Sequence, residues 1–328
     1  MFSIIIPLYN KATYIEKAIQ SVFDQTYFEY ELIIINDGST DRSLEVVTNF
    51  INSHNFPSKF GNWNVINQKN AGVSSARNNG VKAAKNKYIA FLDADDWWEP
   101  DYLKEMKKLI ENFPTAGVYG SSYYKVKKGQ NIIANVGVEP AFINGLINYC
   151  QVYAKSLYQP ICTSAAIIKK KIFENEHGFT LTLKLGEDFD LWLRVSMKYP
   201  VAFLNKPLAY YNQDVDQANR AIGSKLYEPN EHMLFTDYGN LMYNTDFRIL
   251  YEVLAVYGLL PYYLFRKNKK EVDRILSGIH WKNHAFKYRL QYRILPKLLV
   301  RSWLKIKMYG SNVKTYLIAV RNSKFINI

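Results

Sequence analysis

Strand-length apolar runs alternate with helix-length amphipathic stretches over the first 115 residues, which predicts an α/β protein with a mostly parallel sheet flanked by helices. Two further observations shape that prediction. Asp, Asn, Ser and Gly collect after each apolar run, and beyond about Gly223 the strand signals give way to aromatic-rich helical segments. The expected organisation is one domain over residues 1–223, with halves at 1–115 and 116–223, followed by a mainly helical, basic region over 224–328.

Each element has its own warrant. Phe2–Leu8 is a β-branched apolar run and reads as the first strand. Ile15, Ala18, Ile19 and Val22 follow at the spacing of one buried helix face, and Thr13-Tyr14-Ile15-Glu16 has the pattern of a capping box that would start that helix. Tyr30–Ile35 is the second strand, Leu44–Phe50 the second helix, Trp63–Ile66 the third strand, Ser74–Ala84 the third helix and Tyr88–Leu92 the fourth strand. Strands separated by single helices need crossover connections, so they run parallel and are covered on both faces. Glu99-Pro100-Asp101 has the composition of the next helix start. From Ala116 the pattern mixes. Val118–Val126, leading into Lys127-Lys128-Gly129-Gln130, reads as a hairpin, Ser164–Ile168 as a strand, and Phe189, Trp192 and Leu193 are spaced for a helix buried on one side.

Composition narrows the class. A chain of 328 residues with 48% hydrophobic and 15% aromatic content can bury a sizeable core. Two cysteines without metal-ligand spacing, Cys150 and Cys162, and five scattered histidines argue against a zinc site and for a reducing compartment. Met1-Phe2-Ser3-Ile4-Ile5-Ile6-Pro7 lacks a basic leader and a cleavage site, so it reads as a buried strand, and the cytoplasm is the expected location. The net charge of +13 is concentrated at one end: from Pro261 to Ile328 there are 16 Lys and Arg against 2 Asp and Glu.

Ligands of open parallel sheets bind at the carboxyl ends of the strands. The polar residues fall there: Tyr9-Asn10 after the first strand, Asn36-Asp37-Gly38-Ser39 after the second, Gln68–Gly72 after the third and Asp93-Ala94-Asp95-Asp96 after the fourth. Carboxylates this close repel one another unless hydrogen bonds, a nearby cation or a bound metal offset the repulsion. A metal–diphosphate site and an ordinary strand-to-helix turn both fit that stretch. Asp37 can accept a hydrogen bond from a nucleobase N–H, with Gly38 permitting close backbone approach; an ordinary turn also fits. Asn70–Gly80 opens a helix with small residues and sets Arg77 one turn in. That arrangement suits a nucleotide diphosphate or the charge balance of the nearby aspartates, and the small residues also let the helix sit close to the sheet. In Gly186–Arg194 three acids occupy the first helical turn; Asp190 and Arg194 form an i, i+4 pair, which leaves Glu187 and Asp188 to face a site where a carboxylate can deprotonate a hydroxyl.

Taken in order and spacing, Ser3–Asn10, the Asn36–Asp41 loop, Asn70–Gly80, Asp93–Asp96 and Gly186–Asp188 resemble glycosyltransferase family 2, over about residues 1–212. The resemblance implies a GT-A fold, a nucleotide-sugar donor (a UDP-sugar by family frequency), Mn2+ or Mg2+, and inversion at the anomeric carbon. It makes 1–115 the nucleotide-binding half and 116–223 the acceptor half. Carried over motif by motif, it implies that Pro7 and Tyr9 shape the nucleoside pocket, Asp37 contacts the base, Arg77 lies beside the diphosphate, Asp93 lies near the ribose and Asp95 binds the metal. Asp188 matches the catalytic base with Glu187 beside it, and Asp96 is an extra acid without a catalytic role. Many members hold the diphosphate with an Arg or His after the base, whereas Tyr210–Gln217 has neither and the first candidate is Arg220. The activity so implied is transfer of a hexose or N-acetylhexosamine to an acceptor hydroxyl of a growing, lipid-linked surface polysaccharide. The alternatives are a nucleotide-sugar-binding protein without transfer activity and a basic scaffold or nucleic-acid-binding protein.

Arg293–Lys307 mixes cationic and apolar residues as an interfacial helix does, with Pro296 interrupting or beginning it. Residues 251–328 are therefore expected either to meet an anionic membrane surface peripherally or to form a solvated basic face. Tyr251–Phe265 is too short and too polar to span a bilayer. No nucleic-acid module accompanies the basic tail, so no nucleic-acid partner is expected.

Overall fold

The computed structural model describes residues 1–53, 63–215, 226–265, 267–300 and 302. The chain divides into two compact units, one comprising Met1–Leu181 and Glu187–Arg220, the other Thr182–Gly186 and Ala221–Ile328.

In the first unit the strands are β1 (Phe2–Leu8), β2 (Tyr30–Asp37), β3 (Trp63–Gln68), β4 (Tyr88–Phe91), β5 (Trp97–Trp98), β6 (Val118–Lys127), β7 (Gln130–Ile133), β8 (Asn144–Ile147), β9 (Ala166–Lys169) and β10 (Val201–Asn212). The helices are α1 (Ile15–Phe23), α2 (Ser43–Ser53), α3 (Val73–Ala83), α4 (Tyr102–Asn112), α5 (Tyr149–Ser156), α6 (Lys170–Asn175) and α7 (Glu187–Ser196). The sheet runs β3-β2-β1-β4-β9-β6-β10-β5, with β7 beside β6 and β8 beside β10. Its first four strands are parallel, as is the long β6–β10 pair. The antiparallel pairings are shorter and lie in the second half of the unit, where β9 is inserted between β4 and β6. The mostly parallel sheet flanked by helices is thus the fold that the sequence predicts.

Both faces of the central strands are covered, which is why these segments read as apolar runs, broken where Ser3 of β1 donates to Glu31 of β2 at 2.6 Å. Ile4, Ile6 and Leu8 of β1 join Ile15, Ile19 and Val22 of α1 in one core, while Ile5 points to the other face, where Gly80 of α3 lies against it and Ile35. A Cβ at Gly80 would be in hard contact with Ile5 Cγ2, so α3 sits as near the strands as a glycine allows. The hairpin β6–β7 forms where the sequence places it. The capping box at Thr13–Glu16 does not form: Tyr14 precedes α1 without a side-chain cap. Instead the carbonyl of Lys11 accepts the amides of Tyr14 and Ile15, both at 2.9 Å, so a backbone turn satisfies the first donors of the helix. The run read as a strand from Ser164 begins with a 3-10 turn, Thr163–Ala165, and only then becomes β9.

In the second unit, α8 (Thr245–Gly258), α9 (Leu260–Phe265), α10 (Lys269–Ser277) and α11 (Phe286–Arg289) are the helices described, with a π-helical turn over Leu290–Ile294. The stretch Tyr251–Phe265 is two helices, since α8 ends at Gly258 and Pro261 falls in the first turn of α9, where its missing N–H costs nothing. Phe247, Leu250, Ala255, Val256 and Tyr262 are buried. The buried Glu252 accepts from the Nδ1 position of His280 at 2.6 Å and contacts His284 Nε2 at 3.2 Å. Helix resumes directly after Pro296, at 297–300. Among the described residues no helix is long and apolar enough to cross a membrane.

Candidate active site

The loops that follow the four parallel strands meet on one rim and are bonded to each other. Asn10, in the left-handed region at φ 50°, accepts the amides of Thr40 (2.8 Å) and Asp41 (3.3 Å) on its Oδ1, and its own amide donates to Ser39 Oγ. Those bonds join the first loop to the second. Asp37, buried at the end of β2, joins the second to the third: its Oδ1 accepts Gln68 Nε2 (2.7 Å) and the Ala71 amide (2.8 Å), and its Oδ2 accepts the Gly72 amide (2.9 Å). Gly38, at φ +69°, would carry a Cβ 2.9 Å from the Asn70 amide nitrogen, so the close approach it permits here is that of the neighbouring loop. The Ala71 and Gly72 amides leading into α3 therefore already face an anion, the Asp37 carboxylate. Tyr9 is exposed at the mouth of this rim, and Pro7 is buried within β1, paired with Ile35.

Arg77 is the junction of the site. Only 4% exposed, it donates from Nη2 to Asp93 Oδ1 at 2.7 Å and from Nη1 to Glu187 Oε1 at 3.1 Å. One guanidinium thereby joins the end of β4 to the start of α7, 110 residues further along the chain from Arg77. The pair with two acids raises its pKa despite burial, and its guanidinium lies 5.0 Å from the ring centre of Phe179. Of the two anionic roles open to it in the sequence, the balance of neighbouring carboxylates is the one the geometry displays.

The acid turn is held from three sides. Lys11 Nζ contacts Asp95 Oδ2 at 2.7 Å. The hydroxyl of Ser164, from the 3-10 turn before β9, donates to Asp96 Oδ2 at 2.6 Å and accepts the Asp93 amide at 3.1 Å. The Asn212 amide at the end of β10 donates to Asp96 Oδ1 at 2.8 Å. Asp96 is buried and its carboxyl is pushed well up by that burial and by Asp95 and Asp93. Its bonds are those of a brace, in keeping with the absence of a catalytic assignment. Asp95 is raised chiefly by burial, an effect that Lys11 opposes and Asp93 adds to.

At the first turn of α7, after Gly186 at φ +80°, lie Glu187 and Asp188, the two acids of the motif that Arg194 does not hold. Asp190 is committed to Arg194 at 2.9 Å, the pair expected from the spacing. Asp188 accepts the Phe189 amide at 2.8 Å on Oδ1 and long bonds from Gln159 Nε2 (3.3 Å) and Thr163 Oγ1 (3.4 Å) on Oδ2. Burial raises its carboxyl, with Arg77 opposing and Asp93 reinforcing the shift. Glu187 is pushed up to about 7 by burial and by Asp188, against the pull of Arg77. Asp93 thus acts electrostatically on both Asp95 and Asp188, and the strand-end acids and the helix-start acids form one cluster.

Sequence reasoning did not single out Lys11, Gln159, Thr163, Ser164 or Asn212. The adjacent hydroxyls of Thr163 and Ser164, directly before a buried strand, were the available signal. They serve the two ends of the cluster, Thr163 reaching Asp188 and Ser164 reaching Asp93 and Asp96. Arg220 lies outside the described residues.

Oxygen donors at the turn suit a hard cation, and the Asp95 carboxylate already holds a cationic group, the Lys11 ammonium. Among the described residues no three His, Cys, Asp or Glu side chains converge as a cage. One or two carboxylates with a substrate diphosphate and water are the usual set for Mg2+ in phosphate sites, so Asp95, with Asp93 beside it, fits the group.

Residues 3–175 match the family model described as glycosyl transferase family 2. The chain belongs to that family. It is 31% identical over 218 residues to glycosyltransferase GlyA of Streptococcus pneumoniae, covering 64% of this chain and 30% of that one. It is 28% identical over 238 residues to chondroitin synthase of Pasteurella multocida, covering 71% and 22%. The matched part spans less than a third of the length of both relatives. Among solved structures, residues 1–349 of Staphylococcus aureus TarS with UDP-GlcNAc align with a TM-score of 0.65 at 16% identity, over 99% of this chain and 92% of that one. The mannosyltransferase PcManGT of Pyrobaculum calidifontis, in complex with GDP-Man and Mn2+, aligns with a TM-score of 0.55 at 16% identity, over 98% and 86%. These likenesses establish the GT-A fold.

Proposed function

We propose that the protein is an inverting glycosyltransferase that moves a hexose or N-acetylhexosamine from a UDP-sugar to an acceptor hydroxyl of a growing, lipid-linked surface polysaccharide. The observation that supports this reading best is the Arg77 bridge, because it sets the candidate base at the start of α7 in the same electrostatic cluster as the acid turn after β4. UDP-GlcNAc in TarS and the polysaccharide-forming relative chondroitin synthase support the donor and product classes.

In this reading Pro7 and Tyr9 line the nucleoside pocket and Asp37 meets the base with its remaining acceptor capacity. Asp93 lies by the ribose, Arg77 stands behind the diphosphate and Asp95 holds the cation. When bound there, Mn2+ or Mg2+ supplies positive charge that stabilises the departing diphosphate. Asp188 takes the proton of the attacking hydroxyl; burial keeps its carboxylate basic enough for that task, against Arg77 and the hydrogen bonds from Phe189 and Gln159, which pull the other way. Glu187 neighbours the base and is paired to Arg77. A single displacement inverts the anomeric carbon.

The second unit supports a peripheral contact with an anionic membrane. Phe286, Ile294, Leu298 and Leu299 are 60% or more exposed, and Lys287, Arg289, Arg293 and Lys297 are interleaved with them.

The deciding experiment is Asp188→Asn, assayed with a panel of nucleotide sugars. A general base contributes about 10²–10⁴-fold, so transfer should fall by that factor while donor binding persists. Unchanged turnover removes Asp188 from the role, and donor binding without transfer in the wild-type chain favours a binding protein.

A further inference from the structure

Arg77 is fixed between two acids and nearly buried, so its charge is fully engaged with Asp93 and Glu187. The Asp95 carboxylate has a different counter-ion. Lys11 Nζ sits at 2.7 Å from Asp95 Oδ2, and the two side chains are 14% and 20% exposed. The main chain around Lys11 is anchored independently of that contact: its amide donates to Ser43 Oγ at 2.7 Å, its carbonyl takes the amides of Tyr14 and Ile15, and the preceding Asn10 is locked to Thr40 and Asp41. A rigid loop therefore presents a flexible four-carbon stem whose charged head can leave Asp95 while the loop stays in place.

A divalent ion and an ammonium compete for one carboxylate, because its negative charge cannot offset both. At contact distances they would place three positive charges within a few ångströms, and partial burial of the pair limits the screening by water. We propose that Lys11 is a resident counter-ion that occupies the cation position of Asp95 in the ligand-free protein and must be displaced when the divalent metal arrives with the diphosphate. The lysine keeps the acid turn, where Asp93, Asp95 and Asp96 repel one another, charge-balanced between turnovers. It also lowers the affinity of the empty site for free metal, so that the metal binds well only together with the substrate's own negative charge. This rests on the reading of Asp95 as the metal-bearing carboxylate.

The test is Mn2+ binding to the full chain, followed by the electron paramagnetic resonance of free Mn2+, without and with UDP. Wild type, Lys11→Met and the double variant Lys11→Met/Asp95→Asn are compared, and melting in EDTA verifies that each is folded. Without UDP, Lys11→Met should bind Mn2+ about tenfold more tightly than wild type, as expected for removing a competing charge from a partly shielded carboxylate. The gain should vanish in the double variant. Should Lys11→Met not fold, Lys11→Gln, which retains a hydrogen-bond donor, has the same expected result. Wild-type Mn2+ uptake that neither single variant improves overturns the role of Lys11 alone. No uptake by wild type or the single variants, even with UDP, overturns the metal reading of Asp95 and this proposal together.

Discussion

Replacing Arg77 with Met tests the junction of the site directly. Met retains an unbranched apolar stem but removes the cation that two acids share and that lies 5.0 Å from the Phe179 ring centre. Breaking a fully buried ion pair by deleting one partner costs about 3–5 kcal/mol. Here Arg77 and Glu187 are 4% and 15% exposed but Asp93 is 30% exposed, so solvent relieves part of the loss and the expected destabilisation at pH 8 is about 3 kcal/mol. The pH dependence has a definite sign. Glu187 is raised from 4.5 to about 7, so its contribution to stability is full below pH 4.5 and is lost as the pH rises through 7. Arg77 pulls that value down, and without it Glu187 ionises at still higher pH. At pH 6 the Glu187 carboxyl is largely neutral in both proteins, so the variant lacks the Asp93 ion pair and, at Glu187, a hydrogen bond to a neutral group. The gap between wild type and variant should therefore widen from pH 6 to pH 8, by at most about 1.4 kcal/mol, because only the one pH unit above 7 separates the two proteins in that window. Urea denaturation of both proteins at the two pH values measures it. A deficit below about 1 kcal/mol at pH 8, or one that does not change with pH, would refute the junction described here.

Other perturbations read other parts of the molecule. Ser164→Ala removes the donor to the buried Asp96 and the acceptor of the Asp93 amide, and should cost about 1–3 kcal/mol in urea denaturation; a change under about 0.5 kcal/mol would mean that the brace is dispensable. Gly80→Ala ordinarily favours a helix by about 1 kcal/mol, yet here the new methyl meets Ile5, so the sign should reverse to a loss of about 1–3 kcal/mol. A raised melting temperature would show that α3 can lift off the strands. Changing both Leu298 and Leu299 to Glu should lower flotation with anionic vesicles on the order of tenfold or more, and equal flotation would remove those side chains from a membrane contact.

The parallel half of the sheet was legible because burial on both faces leaves a plain trace: Phe2–Leu8, Tyr30–Ile35 and Tyr88–Leu92 are apolar except for Ser3 and Glu31, which bond to each other, and turn-forming residues stand at their ends. The rim was legible for the same reason, since polar residues after each strand have nowhere else to go. Contacts between distant residues were not. Lys11 and Asp95 are 84 positions apart, and Ser164 and Asp96 are 68 apart, so nothing local in either segment announces the partner. The capping box did not form because the main chain closes a turn from the Lys11 carbonyl to the amides of Tyr14 and Ile15, so that Tyr14, rather than Thr13, precedes the helix. Ser164–Ile168 was legible as a strand, but its antiparallel place between β4 and β6 was not, because Ala166–Lys169 pairs on both edges without any hairpin signal beside it. In β10, Lys206-Pro207 looks like a strand break, but the structure absorbs it as a shift of register against β6.

The bonds of Asp37 bear on any attempt to redesign the donor. Its carboxylate fastens Gln68, Ala71 and Gly72 to one another; under the proposed function, in which Asp37 meets the base, the recognition surface is then assembled in advance and binding need not freeze it. The same economy restricts engineering. An exchange of Asp37 meant to admit a different base would also unfasten the entry to α3, and a retailored specificity is better sought at exposed Tyr9, whose replacement leaves that fastening intact.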